Sequence, residues 1–139
     1  MPFAPQDVAT SLGLLVLRLG AGGLLLIGHG WGKLTNAGTR AATFADPIGL
    51  GPVPSFWLVV GAEVVCAALV MAGLFTRLAT LPIIGFLFVA GFIHHAQDPW
   101  PRRELAFIFM IPFVALLLAG PGRHSLDGLL GIRWLRGRR

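Results

Sequence analysis

Charged side chains and cysteines are scarce in this sequence. Only 12% of the 139 residues are charged, against roughly 25% in a typical soluble domain, whereas 55% are hydrophobic. The mean hydropathy is correspondingly high, at +0.78. This composition argues against an ordinary soluble domain, and it predicts a single integral membrane domain over residues 1–139.

The single cysteine limits the redox chemistry that the chain can perform by itself. Cys66 lies in the middle of an apolar run, and one cysteine forms neither an intrachain disulfide nor a CxxC couple. Dithiol chemistry within the chain is therefore excluded, and a buried structural thiol is expected. The sequence also contains no phosphate-binding loop, Ser-His-Asp spacing or metal motif of the HExxH type, so we predict no metal site.

Acidic residues are fewer than basic ones, and the net charge is +5. Such a balance can indicate nucleic-acid binding, but here the basic residues fall largely in loops and in a C-terminal cluster. That distribution is typical of the cytoplasmic flanks of a membrane protein beside anionic lipid. We therefore predict a lipid bilayer, and no nucleic acid, as the partner of these arginines: Arg133, Arg136, Arg138 and Arg139.

Four apolar stretches predict an all-α transmembrane four-helix bundle. A helix needs about 20 apolar residues to cross the hydrocarbon core, and the predicted spans are 12–30, 56–75, 78–95 and 103–119. The link GLFTR at residues 73–77 is so short that the second and third spans must be antiparallel neighbours. After a Gly-Pro-Gly breaker, Ser125 is placed to cap a short interfacial helix. Its apolar face would carry Leu126, Leu129, Leu130 and Trp134.

Arg18 is the one charge inside the first span. An ionisable group at this depth costs at least about 2.5 kcal/mol, so it normally faces the protein interior and has a partner. Glu63 in the second span is the predicted partner, because the two residues differ in depth by only about 6 Å at about 1.5 Å per residue. The alternative is that such a pair only holds the helices together.

Helical spacing places His29 and Lys33 on the same face as Arg18. We predict that Arg18, His29, Lys33 and Glu63 line a ligand pocket at one end of the bundle, beneath the Gly- and Pro-rich loop of residues 35–54. A quinone head group needs donors to its carbonyl oxygens and positive charge where reduction adds electrons, which Lys33 and Arg18 supply. His29 would exchange the proton, and Glu63 would relay or balance charge. The alternative is that these polar side chains only form hydrogen bonds and ion pairs with one another, and that no ligand binds.

Several of these segments together resemble the DoxX family of small four-helix membrane proteins. The resemblance covers most of the chain and rests on LRLGAGGLLLIGHGWGKL at residues 17–34, GLGPVP at 49–54, Glu63, GLFTR at 73–77 and GPGRHSLD at 120–127. It implies a four-helix bundle associated with redox complexes, since the family is named for a membrane subunit of thiosulfate:quinone oxidoreductase. Related proteins that handle disulfides use paired cysteines, which this sequence lacks.

Two function classes follow. In the first, the chain is a subunit of a quinone-linked redox system with a polar intramembrane pocket. In the second, it is a non-catalytic membrane anchor that recruits a soluble enzyme. Whether the chain is itself an enzyme stays open. No electron-carrying cofactor is expected within it. A haem would need axial His or Met ligands at core depth, whereas His29, His94 and His95 all fall near the ends of the predicted spans. Quinone is the expected ligand, a soluble or membrane redox protein the expected partner, and a homo-oligomer is compatible with either class.

The first span reads as a retained anchor, because no basic segment precedes it and Arg18 interrupts its apolar run. The expected location is the inner cell membrane, crossed several times. Six basic residues fall on the side of the termini and four on the other, which predicts cytoplasmic termini. The six are Arg77, Arg123, Arg133, Arg136, Arg138 and Arg139, and the four are Lys33, Arg40, Arg102 and Arg103.

Overall fold

The computed structural model describes residues 7–132, and within that range every regular element is helical. Four long helices, named first to fourth in chain order, form the bundle. Short helices follow the first and the fourth of them, at Ala37–Arg40, Ala41–Thr43 and Leu126–Leu129. The predicted all-α bundle is confirmed. The four long helices are Val8–Thr35, Pro52–Ala72, Thr76–His94 and Trp100–Ala119.

The first three long helices are long and apolar enough to cross a membrane, with 28, 21 and 19 residues. Together with the high mean hydropathy, they make this a multi-pass membrane protein that contacts the lipid bilayer. The fourth helix has 20 residues but carries Arg102, Arg103 and Glu104 near its start, which shortens its apolar part. The first helix begins earlier than the apolar run because the Asp7 side chain caps it, accepting a hydrogen bond from the Thr10 amide.

Each of the first three helices contains a π-helical segment. These segments are Leu26–Gly30, Gly61–Cys66 and Val89–His94. A π turn interrupts the regular ladder of i to i−4 hydrogen bonds, and such turns are frequent at functional sites. The sequence pattern, which assumes 3.6 residues per turn throughout, does not predict them.

Glycines bring the first and second helices into close contact. A Cβ atom built on Gly30 would lie 2.8 Å from the Glu63 carbonyl oxygen, and one on Gly22 would lie 2.6 Å from Met71 Cγ. Without these side chains the helices approach closely, as small residues allow in membrane bundles. Gly20 has open space around its Cβ position, so the contact between the two helices includes Gly22 but not Gly20.

One end of the bundle, here called the termini end, is formed by Asp7, the turn before the third helix and residues 120–132. Gly73, with a φ of 71°, ends the second helix, and Phe75 also has a positive φ, of 48°. Asp127 accepts hydrogen bonds from the Phe75 and Thr76 amides and donates its own amide to the Gly73 carbonyl. The C-terminal segment is therefore tied to the start of the third helix.

The predicted interfacial C-terminal helix is only partly described. Ser125 does cap a helix, since its Oγ accepts a hydrogen bond from the Gly128 amide at 3.0 Å. That helix, Leu126–Leu129, is a single turn with Asp127 buried in it. Leu129 and Leu130 are exposed, as expected for an apolar face, whereas Trp134 and the arginine cluster lie outside the described residues.

Candidate functional site

A cavity of about 560 Å³ lies at the opposite end of the bundle, which we call the loop end because residues 36–51 form it together with residues 95–99. Its walls come from all four long helices and from the loop of residues 36–51. Most lining side chains are apolar, and the ionisable ones form a central group and a group at the rim. The ionisable lining residues are His29, Lys33, Glu63, His94, His95 and Arg102.

The centre of the polar group is an ion pair between Lys33 and Glu63. Lys33 Nζ lies 2.9 Å from Glu63 Oε1 and 2.7 Å from Oε2, so the ammonium bridges both carboxylate oxygens. The Glu63 side chain is only 4% exposed and that of Lys33 19%. The carboxylate is thus neutralised by its partner, as a buried charge must be.

His29 occupies the same cavity, half-buried in the π-helical segment of the first helix. Its ring packs edge-to-face against Phe109 of the fourth helix, with ring centroids 5.2 Å apart. This contact fixes the plane of the imidazole in the cavity wall. Among the described residues, His29 has no hydrogen bond to another protein group, so its ring nitrogens remain available to a ligand.

A second group of titratable side chains lies at the rim. His95 Nδ1 is 2.6 Å from Asp98 Oδ2, and Arg102 Nη1 is 3.9 Å from the same oxygen. The His94 and His95 rings contact each other with centroids 4.4 Å apart. The hydrogen bond from His95 holds the pKa of the Asp98 carboxyl below its usual value. Asp98 therefore stays ionised and holds the imidazole of His95 in place beside the cavity.

The loop of residues 36–51 forms the cavity's cover, and Asp46 organises it. Asp46 accepts hydrogen bonds from the Leu50 and Gly51 amides and from the Ser55 hydroxyl. Partial burial raises the pKa of Asp46, but these hydrogen bonds outweigh it and hold that pKa below its usual value. Phe44 packs edge-to-face on buried Phe56, which anchors the loop to the second helix.

Arg18 does not belong to this site, and its predicted pairing with Glu63 is wrong. Its guanidinium lies at the termini end, 1% exposed, and donates to the carbonyl oxygens of Met71 at 2.9 Å, Val70 at 3.4 Å and His124. Asp127 is the carboxylate within electrostatic reach.

The physical reason lies in helix length and in the second helix's C-terminus. Because the first helix continues to Thr35, Arg18 is about 22 Å along its axis from Lys33 at about 1.5 Å per residue, too far for one shared site. The second helix ends at Gly73, and its last carbonyls carry the negative end of the helix dipole. Those carbonyls accept hydrogen bonds from Nη1 of the guanidinium, so no carboxylate from the membrane centre is needed there, whereas the buried Nε has no hydrogen-bond partner among the described residues.

The structure thus brings together three of the four predicted site residues, His29, Lys33 and Glu63, and leaves out Arg18. The sequence pattern does not indicate the aromatic wall or the histidines of the rim as parts of the site. The one available signal was the concentration of titratable residues between His94 and Glu104, which the sequence alone did not distinguish from a solvated loop. Among residues 7–132, no group of three His, Cys, Asp or Glu side chains is placed to hold a metal ion.

Comparisons with known proteins agree with a membrane assignment. The DoxX family model matches residues 13–96. The inner membrane protein YqjF of Escherichia coli strain K12 is 32% identical over 130 residues, covering 88% of this chain and 95% of its own length. The uncharacterized membrane protein Rv3486 of Mycobacterium tuberculosis is 34% identical over 123 residues, covering 75% of this chain and 66% of its own length.

No solved structure gives a significant match to this chain. The family match nevertheless covers most of the first helix, all of the second and third, and the polar residues His29, Lys33 and Glu63 of the cavity. A match over more than half of the chain, joined by a relative similar along almost its whole length, places this protein in the DoxX family.

Proposed function

We propose that this chain is the integral membrane subunit of a quinone-linked redox system, and that its loop-end cavity binds the quinone head group. The observation that carries the proposal is a Lys33–Glu63 ion pair together with His29 in a cavity that is otherwise mostly apolar. The E. coli relative is described as an inner membrane protein, which supports the same location for this chain.

The size and the lining of the cavity suit the head group of a quinone, an apolar ring that carries two polar carbonyl oxygens. Ligand cavities typically have volumes of about 300 to 1,000 Å³ and apolar walls with a few placed polar groups. The 560 Å³ cavity falls in this range. Its wall includes Leu58 and Leu105, which are exposed on the surface of the bundle. An apolar ligand dissolved in the bilayer can therefore reach the cavity from the side.

Lys33 and His29 would orient the head group by donating hydrogen bonds. An ammonium has three N–H donors, and two of those of Lys33 point to the Glu63 oxygens. The third can donate to a quinone carbonyl oxygen, and an N–H of His29 can donate to the other. In this water-poor site an N–H donor of the ammonium favours the negative charge that develops on an oxygen during reduction.

Reduction of a quinone also requires protons and electrons. Histidine exchanges protons near neutral pH, so His29 is placed to deliver a proton inside the cavity. The His95–Asp98 pair stands at the rim, half-exposed, where it can exchange protons with water. The electrons come from a redox partner protein, which makes this chain a subunit rather than a complete enzyme.

Binding of a short-chain ubiquinone analogue to the purified full chain in mild detergent tests the proposal. We expect saturable binding by the parent protein and about tenfold weaker binding by His29→Ala, which corresponds to losing one hydrogen bond of about 1.4 kcal/mol. His124→Ala is the matched control, because His124 is an exposed histidine at the opposite end of the bundle. It should bind like the parent.

Lys33 requires a charge-balanced variant, because removing it alone would leave the buried carboxylate of Glu63 unpaired. The double variant Lys33→Met/Glu63→Gln removes both charges and should fold but bind the analogue weakly. No binding to the parent, or equal binding by the parent, His29→Ala and the folded double variant, would reject the quinone site. Co-purification of a soluble enzyme without any quinone binding would instead support a membrane anchor.

A further inference from the structure

A second concavity, of about 950 Å³, lies at the termini end between the start of the third helix and the end of the fourth. We call it the termini-end groove. It is distinct from the loop-end cavity and shares no lining residue with it. One wall presents exposed leucines to the surrounding bilayer, namely Leu78 and Leu81 from the third helix and Leu118 from the fourth.

Within residues 7–132, two arginines contribute positive charge to this groove. Arg77 lies across the end of the fourth helix, where its Nη2 donates to the Leu118 carbonyl at 3.1 Å. That bond uses one of the five N–H donors of a guanidinium. Gly120 leaves room for this arrangement, since a Cβ built there would lie 3.3 Å from Arg77 Nη2. Arg123 lines the same groove and is exposed.

Among the described residues of the lining, Asp127 is the one carboxylate, and its oxygens are already engaged. Both oxygens of Asp127 accept backbone hydrogen bonds, from Phe75 and Thr76, at the positive end of the third helix. Asp127 also lies within electrostatic reach of the buried Arg18. The cationic side chains that line the groove, among the residues the structure describes, are those of Arg77 and Arg123.

The groove also lies at the right depth for a lipid head group. The third helix begins at Thr76 and the fourth ends at Ala119, so the groove is at the level where spanning helices leave the hydrocarbon. Ile132 lines it, and the sequence continues from there with further basic residues. They are Arg133, Arg136, Arg138 and Arg139.

We propose that the termini-end groove binds one anionic glycerophospholipid. Its phosphate lies between the Arg77 and Arg123 guanidinium groups, and its acyl chains run along Leu78, Leu81 and Leu118. A guanidinium donates two parallel hydrogen bonds to a phosphate, and basic concavities between membrane helices bind anionic head groups in this manner. A zwitterionic phosphocholine head group would bring its own cation next to these arginines and is disfavoured.

Native mass spectrometry of the full chain, titrated with phosphatidylglycerol or phosphatidylcholine of identical acyl chains, tests the proposal. The parent should bind one phosphatidylglycerol at least about tenfold more tightly than phosphatidylcholine. At about 1 kcal/mol per arginine, Arg123→Gln should reduce that preference about fivefold and Arg77→Gln/Arg123→Gln should abolish it. Arg77→Lys keeps the charge and should keep most of the preference.

Arg40→Gln is the matched control, because Arg40 is an exposed arginine at the loop end. It should retain the parent's preference. If the parent bound both lipids equally, the proposal would be overturned. It would also be overturned if the folded double variant kept the full preference, since the preference would then belong to the C-terminal arginines. Arg123→Gln keeps the test decisive even if loss of the Arg77–Leu118 hydrogen bond prevents folding of the double variant.

Discussion

At the scale of single residues, the buried cation Arg18 donates from both Nη atoms to carbonyl oxygens rather than to a carboxylate on a neighbouring span. Its buried Nε has no hydrogen-bond partner among the described residues. The Gly73 turn makes this possible, because a Cβ at Gly73 would lie 2.3 Å from Arg18 Nη1. Glycine is therefore favoured at position 73 for two reasons: it adopts the αL conformation readily, and it has no side chain to clash with the Arg18 guanidinium. Arg18 therefore joins the first helix to the second helix's C-terminus and to the C-terminal segment.

Arg18→Met should destabilise the protein without any coupling to Glu63. It leaves the Met71 and His124 carbonyls without this donor, and each unsatisfied buried group costs about 1 to 3 kcal/mol. The free energies of unfolding of Arg18→Met, Glu63→Gln and the double variant can be compared in a double-mutant cycle in detergent. We expect additivity within about 0.5 kcal/mol. A coupling energy above about 1 kcal/mol would indicate that the two side chains interact after all.

Gly30 and Gly28 provide a matched pair of substitutions in one π-helical segment. A methyl group on Gly30 would meet the Glu63 backbone, whereas one on Gly28 would meet nothing within 4 Å. Gly30→Ala should therefore cost about 1 to 3 kcal/mol through overpacking, and Gly28→Ala should be neutral or gain up to about 1 kcal/mol. Thermal unfolding in detergent measures both. Equal melting temperatures for the two variants would contradict the close approach of the first and second helices.

At the scale of elements, the third helix depends on a cap that is remote in sequence. Asp127→Ala removes two hydrogen bonds at that helix's start and should cost about 2 kcal/mol, the upper end for loss of an N-terminal cap. Asp7→Ala is the comparison, because Asp7 makes a similar cap but is exposed. Its effect should be smaller. Equal melting temperatures for the two variants would show that burial adds nothing to the Asp127 cap.

The cover of the loop-end cavity should loosen in acid. The pKa of Asp46 is below its usual value in the folded protein, so its hydrogen bonds stabilise the loop fully above the unfolded-state pKa. That contribution is lost as the pH falls through the lowered folded-state pKa. Hydrogen exchange at the Leu50 and Gly51 amides, corrected for the intrinsic pH dependence of exchange, should show this loss of protection. Asp46→Asn should show no such transition, and an unchanged parent would argue against the role of Asp46.

The element scale also shows what the sequence could and could not predict. Apolar run length and the short GLFTR link correctly gave the helical bundle, because both properties are local. The predicted helix ends were less accurate, since capping residues such as Asp7 lie outside the apolar runs. The π-helical segments were not predictable from a pattern of 3.6 residues per turn, although each contributes residues to the cavity wall. The partners of Arg18 were not predictable either, because they are carbonyl oxygens, which every residue type provides.

At the scale of the whole molecule, the polar groups divide between two ends with different roles. The termini end holds Arg18, Arg77 and Asp127 in a network that joins segments distant in sequence. The loop end holds the Lys33–Glu63 pair and His29 around a cavity. Helical spacing correctly predicts that His29 and Lys33 lie together, because both are on one face within about one turn of each other. Arg18 is on that face too, but it is about 22 Å from Lys33 along the axis, and a shared face does not bring residues so far apart into one site.

The arrangement of basic residues predicts which end faces the cytoplasm. The amide of Arg123 lies 3.4 Å from Ser11 Oγ, so the start of the first helix and the C-terminal segment are at the same end of the bundle. Arg77 and Arg123 belong to that end and the C-terminal arginines follow it in sequence, whereas Lys33, Arg40 and Arg102 belong to the loop end. The excess of arginine at the termini end favours a cytoplasmic location for it.

Cysteine accessibility in intact cells measures this orientation. Cys66 is half-buried in the second helix, and Cys66→Ala provides a background without cysteine. In that background, a cysteine at exposed Thr39, introduced as Thr39→Cys, should react with an impermeant maleimide added outside. A cysteine placed after Arg139 should react only once the cells are opened. The reverse pattern would put the termini end outside, and the groove of Arg77 and Arg123 would then face the outer leaflet.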